Sequence, residues 1–213
     1  MNTQTFTSEQ FFDISGFSYL EIFSGKTNVW ETIPALQEFI IALFEKGIVK
    51  GNYKEKYVFI GDGAVIEEGA VIKGPCIVGK NSVIGHSAFL RESCLIGDNV
   101  HIGHAVEVKN SIFLNNSHAA HLNYIGDSII GNRVNIAAGA ILTNFRLDHK
   151  TIMVKTEEQT IDTNLTKLGS IIGDDSNIGA NAVLNPGTIL EKNVIVYPLT
   201  SVRGVHAMGS VVR

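Results

Sequence analysis

The chain is predicted to fold as an all-β protein, a parallel β-helix with a small helical cap segment at its N-terminus. Three observations predict this. First, a branched aliphatic recurs at every sixth position from Ile60 through Ile66, Ile72, Val78, Ile84, Leu90, Ile96, Ile102 and Val108 to Leu114. A fixed short period of this kind marks a solenoid whose coils stack on one another. Second, the period returns at Ile130, Ile136 and Leu142, and again at Ile172, Ile178, Leu184, Leu190, Val196 and Val202. Third, composition changes near residue 58, since residues 1–57 hold seven of the eleven Phe and the only Trp but four of the twenty-one Gly.

Residues 1–57 are read as the cap. Ile33, Leu36, Phe39, Ile40, Leu43 and Phe44 fall at helical spacing, with Pro34 in the first turn and Gly47 as a stop. "SEQFFDI" is a candidate for a shorter helix entered from Ser8. The expected task of such a segment is to close the open end of the solenoid, because terminal repeats need a polar outer surface.

Residues 58–213 are read as the β-helix. Each hexad is one short strand and a corner. The aliphatic fills the interior, and small residues two positions earlier (Ala64, Ala70, Cys76, Ser82, Ala88, Cys94) let the corner close. Gly follows the aliphatic at Gly61, Gly79, Gly85, Gly97 and Gly103, where it is expected to take a backbone shape other residues resist. Three hexads make one triangular coil, so residues 18 apart stack at the sheet spacing of about 4.8 Å. Cys76 and Cys94 are 18 apart and should be stacked interior thiols, left free because parallel side chains point the same way.

Two irregularities stand out. Between about 144 and 169 the hexads stop and the chain is polar and charged, which reads as a loop thrown out from the wall or an unstructured excursion. Around "HAAHLNYIGD" the phase slips: Leu114 to Ile130 is 16 residues, two short of three hexads. The expectation is that this shortened stretch turns His121 and Tyr124 out of the core.

Composition excludes several roles. Net charge is -4 with no run of Lys or Arg, against a nucleic-acid surface. The apolar stretch 33–44 is short and interrupted, so no membrane span is expected. The N-terminus lacks signal-peptide character and two Cys make no disulfide framework, so a cytoplasmic setting is expected.

The segment "VEVKNSIFLNNSHAAHLNYIGDSIIGNRVNIAAGAILTNF" resembles the acetyltransferase half of the bacterial bifunctional enzyme that makes UDP-N-acetylglucosamine. It is more similar still to the C-terminal domain of archaeal-type sugar-1-phosphate nucleotidylyltransferases, which share the loop after "TNFRLDHK" and its "KLG" ending. The resemblance runs from about residue 28 to 203. It implies a left-handed β-helix, a homotrimer with sites at subunit boundaries, and N-acetylation of an amino-sugar phosphate by acetyl-CoA, with glucosamine-1-phosphate as the expected acceptor.

Position by position, the resemblance puts the catalytic base at His121 and its orienting carboxylate at Glu107. Asn144 falls on the residue that reaches the reacting acetyl group, usually from a neighbouring subunit. Arg91 and Lys109 match the residues that hold the sugar phosphate, Tyr124 and Asn135 contact the sugar and phosphate, and Lys150 is a further phosphate-side lysine. Ala138, Ala180 and Pro198 sit where the family lines its acetyl-CoA site. There the sequence departs from the bacterial enzyme, with Ala180 for a common serine and Pro198 for an alanine.

These residue types suit the chemistry. An amine attacking a thioester must lose a proton, and histidine, with an unperturbed pKa of about 6.5, is suited to take it. Charge developing on the carbonyl oxygen needs donors, which backbone N–H groups or the Asn144 amide could supply. A phosphate calls for forked hydrogen bonds from Arg and point charge from Lys. Arg91 and Lys109 are 18 apart, so both should project from one wall on adjacent coils.

Three rival readings compete with this one. A zinc-dependent anhydrase would use His86, His101 and His104, but three converging ligands are needed and the H-x4-H spacing of that family is missing; no metal is expected. A non-catalytic trimer that binds sugar nucleotides is the main alternative. Nucleotidylyl transfer needs a glycine-rich loop on a separate α/β domain, which residues 1–57 do not contain, so a separate nucleotidylyltransferase is a candidate partner.

Overall fold

From Val58 onward almost every hexad forms a strand of two to four residues, and the strands stack into three parallel sheets, the faces of a triangular β-helix. The first face has eight strands, from Val58–Ile60 to Val205–His206. The second has eight, from Val65–Ile66 to Val211–Val212, and the third has seven, from Val71–Ile72 to Ser201–Val202. The computed structural model describes residues 5–156 and 158–213. The first four residues of the expected cap and Glu157 in the expected loop lie outside it.

The aliphatic column fills the interior as expected, with Ile72, Val78, Ile84, Leu90, Ile96, Ile102 and Val108 all fully buried in one cluster. Cys76 pairs with Cys94 in register, and both are buried free thiols. Burial disfavours the thiolate in each case, raising Cys76 well above the usual thiol value and pushing Cys94 up to about 12. Since the thiolate is the reactive form, neither Cys should react with iodoacetamide at pH 8 in the native protein. Both should be alkylated in guanidinium, and intact mass reads the difference.

The glycines after the aliphatics act differently from the expectation. Gly61, Gly79, Gly85, Gly97 and Gly103 do not take positive φ. They are small because the next coil lies against them: a Cβ on Gly61 would come 2.7 Å from the Gly79 carbonyl carbon and the Lys80 nitrogen. The left-handed corner is taken two residues later, at Gly63, Asn81, Ser87, Asn99 and Ala105. Short polar side chains tolerate that region best.

The phase slip is split in two, one half inside "HAAHLNYIGD" and the other a coil earlier. After Ala105 the next left-handed corners are Asn110, Asn116, Leu122, Asp127 and Arg133, so two of these steps, 105 to 110 and 122 to 127, are five residues instead of six. One residue is therefore lost at Asn110 and one at Asp127, both on the edge between the third and first faces. The coils between become 17 residues long, pairing Ile96 with Phe113, Ile102 with Ala119 and Val108 with Ile125. "HAAHLNY" itself keeps the six-residue step from Ala119 to Ile125. Phe113, not Leu114, takes the interior position, while Leu114 joins a second cluster outside the prism.

That second cluster shows what the cap covers. α1 (Ser8–Phe11) and α2 (Thr32–Glu45) lie against the outer side of the first face, not across an open end. Phe11, Trp30, Leu36 and Ile40 pack on the outward Ile77, Leu95, Ile112, Ile129 and Ile171. Each such fully buried side chain contributes roughly 1.5–3 kcal/mol relative to exposure. Polar ties fix the seating: the Asp13 N–H donates to Asp174 Oδ2 at 2.8 Å, and Asn115 Nδ2 donates to the Gly16 carbonyl at 2.8 Å.

The loop leaves the wall after Leu142. Its tip holds a forked ion pair between Arg146 and Asp148, which keeps the Asp148 carboxyl well below its usual value. It then forms an antiparallel hairpin, Met153–Lys155 with Thr160–Asp162. Ile152, Val154 and Leu168 return to the cluster beneath the cap, so the loop is a folded excursion anchored on the first face.

Candidate active site

Two features of the wall collect the expected residues. The first is the outer side of the third face. There Phe89, Glu107, Tyr124 and Ile141 stand in one register column on successive coils. One position beyond the interior residue of each strand lie Arg91, Lys109 and Gly126, so Arg91 and Lys109 do project from one wall on adjacent coils. Arg91 Nη1 donates to Glu107 Oε1 at 3.1 Å, and a second carboxylate, Glu92, lies 3.9 Å from Nη2. Lys109 Nζ lies 3.7 Å from Asp127 Oδ2.

Asp127 was not anticipated. Its side chain is 4 % exposed, and it accepts hydrogen bonds from Asn110 Nδ2 at 2.7 Å and from Asn144 Nδ2. Its backbone N–H donates to the Lys109 carbonyl and its own carbonyl accepts from the Gly169 N–H, so it clasps the start and return of the loop to the wall. Tyr124 completes the group. A Cβ on Gly126 would come 2.6 Å from the Tyr124 hydroxyl and 2.7 Å from Asn144 Nδ2, so only glycine leaves these two groups in place. Burial, and then the Asp127 charge, raise the Tyr124 phenol, which keeps it a neutral hydrogen-bond donor.

The second feature is the edge between the second and third faces. Hydrogen bonds at successive corners run from Ala105 N–H to His86, Leu122 to His104, Gly139 to His121, Asn181 to Ala138 and Leu199 to Ala180 carbonyls. His121, Ala138, Ala180 and the Pro198 that precedes Leu199 therefore stand in one line, continuing a column of His86 and His104. Those two rings stack with centroids 5.7 Å apart and planes 1° apart. The side chain of His121 is exposed and makes no hydrogen bond or ion pair among the described residues.

Within a single chain two expected residues stand apart and a third, Glu107, meets a different partner. Glu107 pairs with Arg91 and not with His121. Asn135 lies on the outer side of the second face between His118 and Asn177. Lys150 is on the exposed loop tip and joins none of the bonds above. His101 meets His118 edge to face while His104 stacks on His86, and among the described residues no group of three or more His, Cys, Asp or Glu side chains is arranged to hold a metal ion.

Residues 72–165 match the family described as the GMPPB C-terminal domain, and residues 170–197 match the hexapeptide repeat of succinyl-transferase. The uncharacterized acetyltransferase YaiX of Escherichia coli is 34% identical over 184 residues, covering 79% of this chain and 80% of that protein. The chain belongs to the hexapeptide-repeat acetyltransferases. A second member, the bifunctional protein GlmU of Methanococcus maripaludis, is 46% identical over 173 residues, or 78% of this chain. This hexapeptide-repeat chain spans 41% of the length of that relative. The fold also superposes on the UDP-N-acetylglucosamine acyltransferase from Campylobacter jejuni with a TM-score of 0.48 at 15% identity, covering 75% of this chain and 69% of that one, too distant to bear on the site.

A hexapeptide-repeat acetyltransferase needs an acyl-donor channel and a place for the acceptor. Here the line of short side chains at Ala138 and Ala180 leaves one edge low, while cations and hydrogen-bonding groups gather on the adjoining face.

Proposed function

We propose that the protein N-acetylates an amino-sugar phosphate, with glucosamine-1-phosphate as the acceptor, in the synthesis of UDP-N-acetylglucosamine. The observation that carries this is the adjacency of the two features. His121 precedes Tyr124 by three residues, so the edge bearing His121, Ala138, Ala180 and Pro198 borders the face bearing Arg91, Glu107, Lys109 and Tyr124, with Asn144 at the far edge of that face.

Acetyl-CoA supplies the thioester. The acceptor amine attacks its carbonyl carbon, His121 takes the proton the nitrogen sheds, and the imidazolium so formed returns that proton to the CoA sulfur as the carbon–sulfur bond breaks, leaving the amide, free CoA and neutral His121. Arg91 and Lys109 hold the phosphate. Both keep carboxylate partners in the free protein, Glu107 and Asp127, so their forks and charge are already aimed at the face before a ligand arrives. Tyr124, held neutral, donates to a sugar or phosphate oxygen.

The site is completed by a second copy in a homotrimer. Val65, Val71, Phe89, Leu122, Ile195 and Leu199 are exposed apolar side chains on the second and third faces and the edge between them, a surface suited to burial against another copy. Association there brings Asn135 and Lys150 of neighbouring copies toward the cluster. The working setting is the cytoplasm, where acetyl-CoA and sugar phosphates occur; among the described residues no helix is long and apolar enough to cross a membrane.

The test is release of CoA from acetyl-CoA with glucosamine-1-phosphate and, separately, galactosamine-1-phosphate. Turnover with at least one, preferring glucosamine-1-phosphate, is the expected result. No release above the rate without acceptor would overturn the assignment and favour a trimer that binds sugar nucleotides without turnover.

A further inference from the structure

Asp127 sits where the β-helix loses a residue. The shortened corners at Asn110 and Asp127 stack on one edge, and Asn110 Nδ2 donates to Asp127 Oδ1 across them. The other carboxylate oxygen receives Asn144 Nδ2 and faces Lys109. An ionised carboxylate only accepts hydrogen bonds. The end of the Asn144 amide that meets it must therefore be the NH2, an assignment fixed by the network and not by the shape of the side chain. The Tyr124 hydroxyl and this NH2 share the space above Gly126. The NH2 is thus engaged by Asp127, while no group among the described residues donates to Asn144 Oδ1, and that oxygen is not buried.

We infer that Asp127 is a positioning residue that fixes the polarity of Asn144, so that Asn144 presents its amide oxygen to the acceptor amine and not its NH2 to the carbonyl oxygen of the thioester. This rests on the acetyltransferase reading above and reverses the expectation that Asn144 donates to the oxyanion. An amine nucleophile needs its lone pair on the carbonyl carbon and its N–H bonds directed elsewhere. Within one chain Asn144 and His121 stand on opposite edges of the third face, so the two meet across the trimer: Asn144 Oδ1 of a neighbouring copy accepts one N–H and His121 takes another, which turns the lone pair toward the thioester. Stabilising the oxyanion then falls to backbone N–H groups.

A polarity swap tests this. Asn144→Asp sets two carboxylates against each other, and Asp127→Asn removes the group that dictates the amide's direction. Each should lower kcat by about 10- to 100-fold, with KM for acetyl-CoA within about twofold of wild type. In Asp127→Asn/Asn144→Asp the NH2 comes from residue 127, the carboxylate stands at 144, and its outer oxygen again accepts. The double variant should recover at least about tenfold over the poorer single variant. If Asn144 worked as a donor, Asp at 144 could not replace it, so a folded double variant that recovers nothing would overturn the inference. A second readout needs no turnover: the side-chain amide signal of Asn144 in an NMR spectrum should shift when Asp127 becomes Asn, and an unmoved signal also overturns it. A wild-type protein that releases no CoA refutes the acetyltransferase reading instead, a result separable from failure of the swap in an active enzyme.

Discussion

His121→Ala is expected to reduce kcat for CoA release by about 10²–10⁴-fold, the usual contribution of a positioned general base. The same substitution should leave the melting temperature close to that of wild type. His121 is exposed and its side chain holds nothing within the chain, and surface changes of this kind usually stay within about 0.5 kcal/mol. The stacked pair His86 and His104 supplies a built-in comparison. They occupy the same edge on the two preceding coils, away from the coil that carries Tyr124, and one ring nitrogen of each is tied to a backbone carbonyl, His86 Nδ1 to Glu68 at 2.6 Å and His104 Nδ1 to His86 at 3.0 Å. His104→Ala should therefore cost far less activity than His121→Ala. Equal losses in the two variants would mean that the column acts as a structural edge, and His121 would lose its assignment as base.

The structure also shows where sequence reasoning reached and where it stopped. Period six identified the interior from Ile60 to Val108 because one aliphatic in six is buried whatever the surroundings. It predicted the Cys76–Cys94 and Arg91–Lys109 stacks because coil length alone sets them. It failed at "SIFL" because Ile112, Phe113 and Leu114 are all apolar, and periodicity cannot choose among three adjacent apolar residues. The cap chooses: strands of the first face carry apolar residues on both sides, Ile77 between Cys76 and Val78 and Leu95 between Cys94 and Ile96, and such strands are buried on both faces. That pattern was a usable sign that the aromatic N-terminal segment lies on this face. The left-handed corners were a second sign, since Asn81, Asn99, Asn110 and Asn116 report the five-residue step that the aliphatics hide. Asp127 belongs to no column, and its importance comes from Lys109, Asn110 and Asn144, whose meeting at one edge depends on that step. How Glu107, Asn135 and Lys150 relate to His121 depends on contacts beyond one chain, which no period within a chain encodes.

Phe113→Ala is expected to destabilise the fold by about 3–5 kcal/mol, read as a shift in the midpoint of chemical denaturation. Burial alone predicts a loss at Leu114 too, so the sharper measurement concerns which side of the wall Phe113 occupies. Its interior layer is Phe113, Ala119 and Ile125, between layers built from Ile96, Ile102 and Val108 below and Ile130, Ile136 and Leu142 above. Ala119 is the one small side chain at a position otherwise held by isoleucine in those layers, so the bulk of Phe113 fills space that Ala119 leaves. Phe113→Leu should open a cavity and Ala119→Val should overpack the layer, each destabilising alone. Together they should cost less than their sum, with a coupling of about 0.5–3 kcal/mol, because the added methyls enter the space the ring vacated. Additive effects would place Phe113 beneath the cap and Leu114 in the prism, restoring the unbroken hexad phase. The same outcome would move the loss at Asn110 into the stretch between Leu114 and Ile130 and remove the reason for Asn110 and Asp127 to meet.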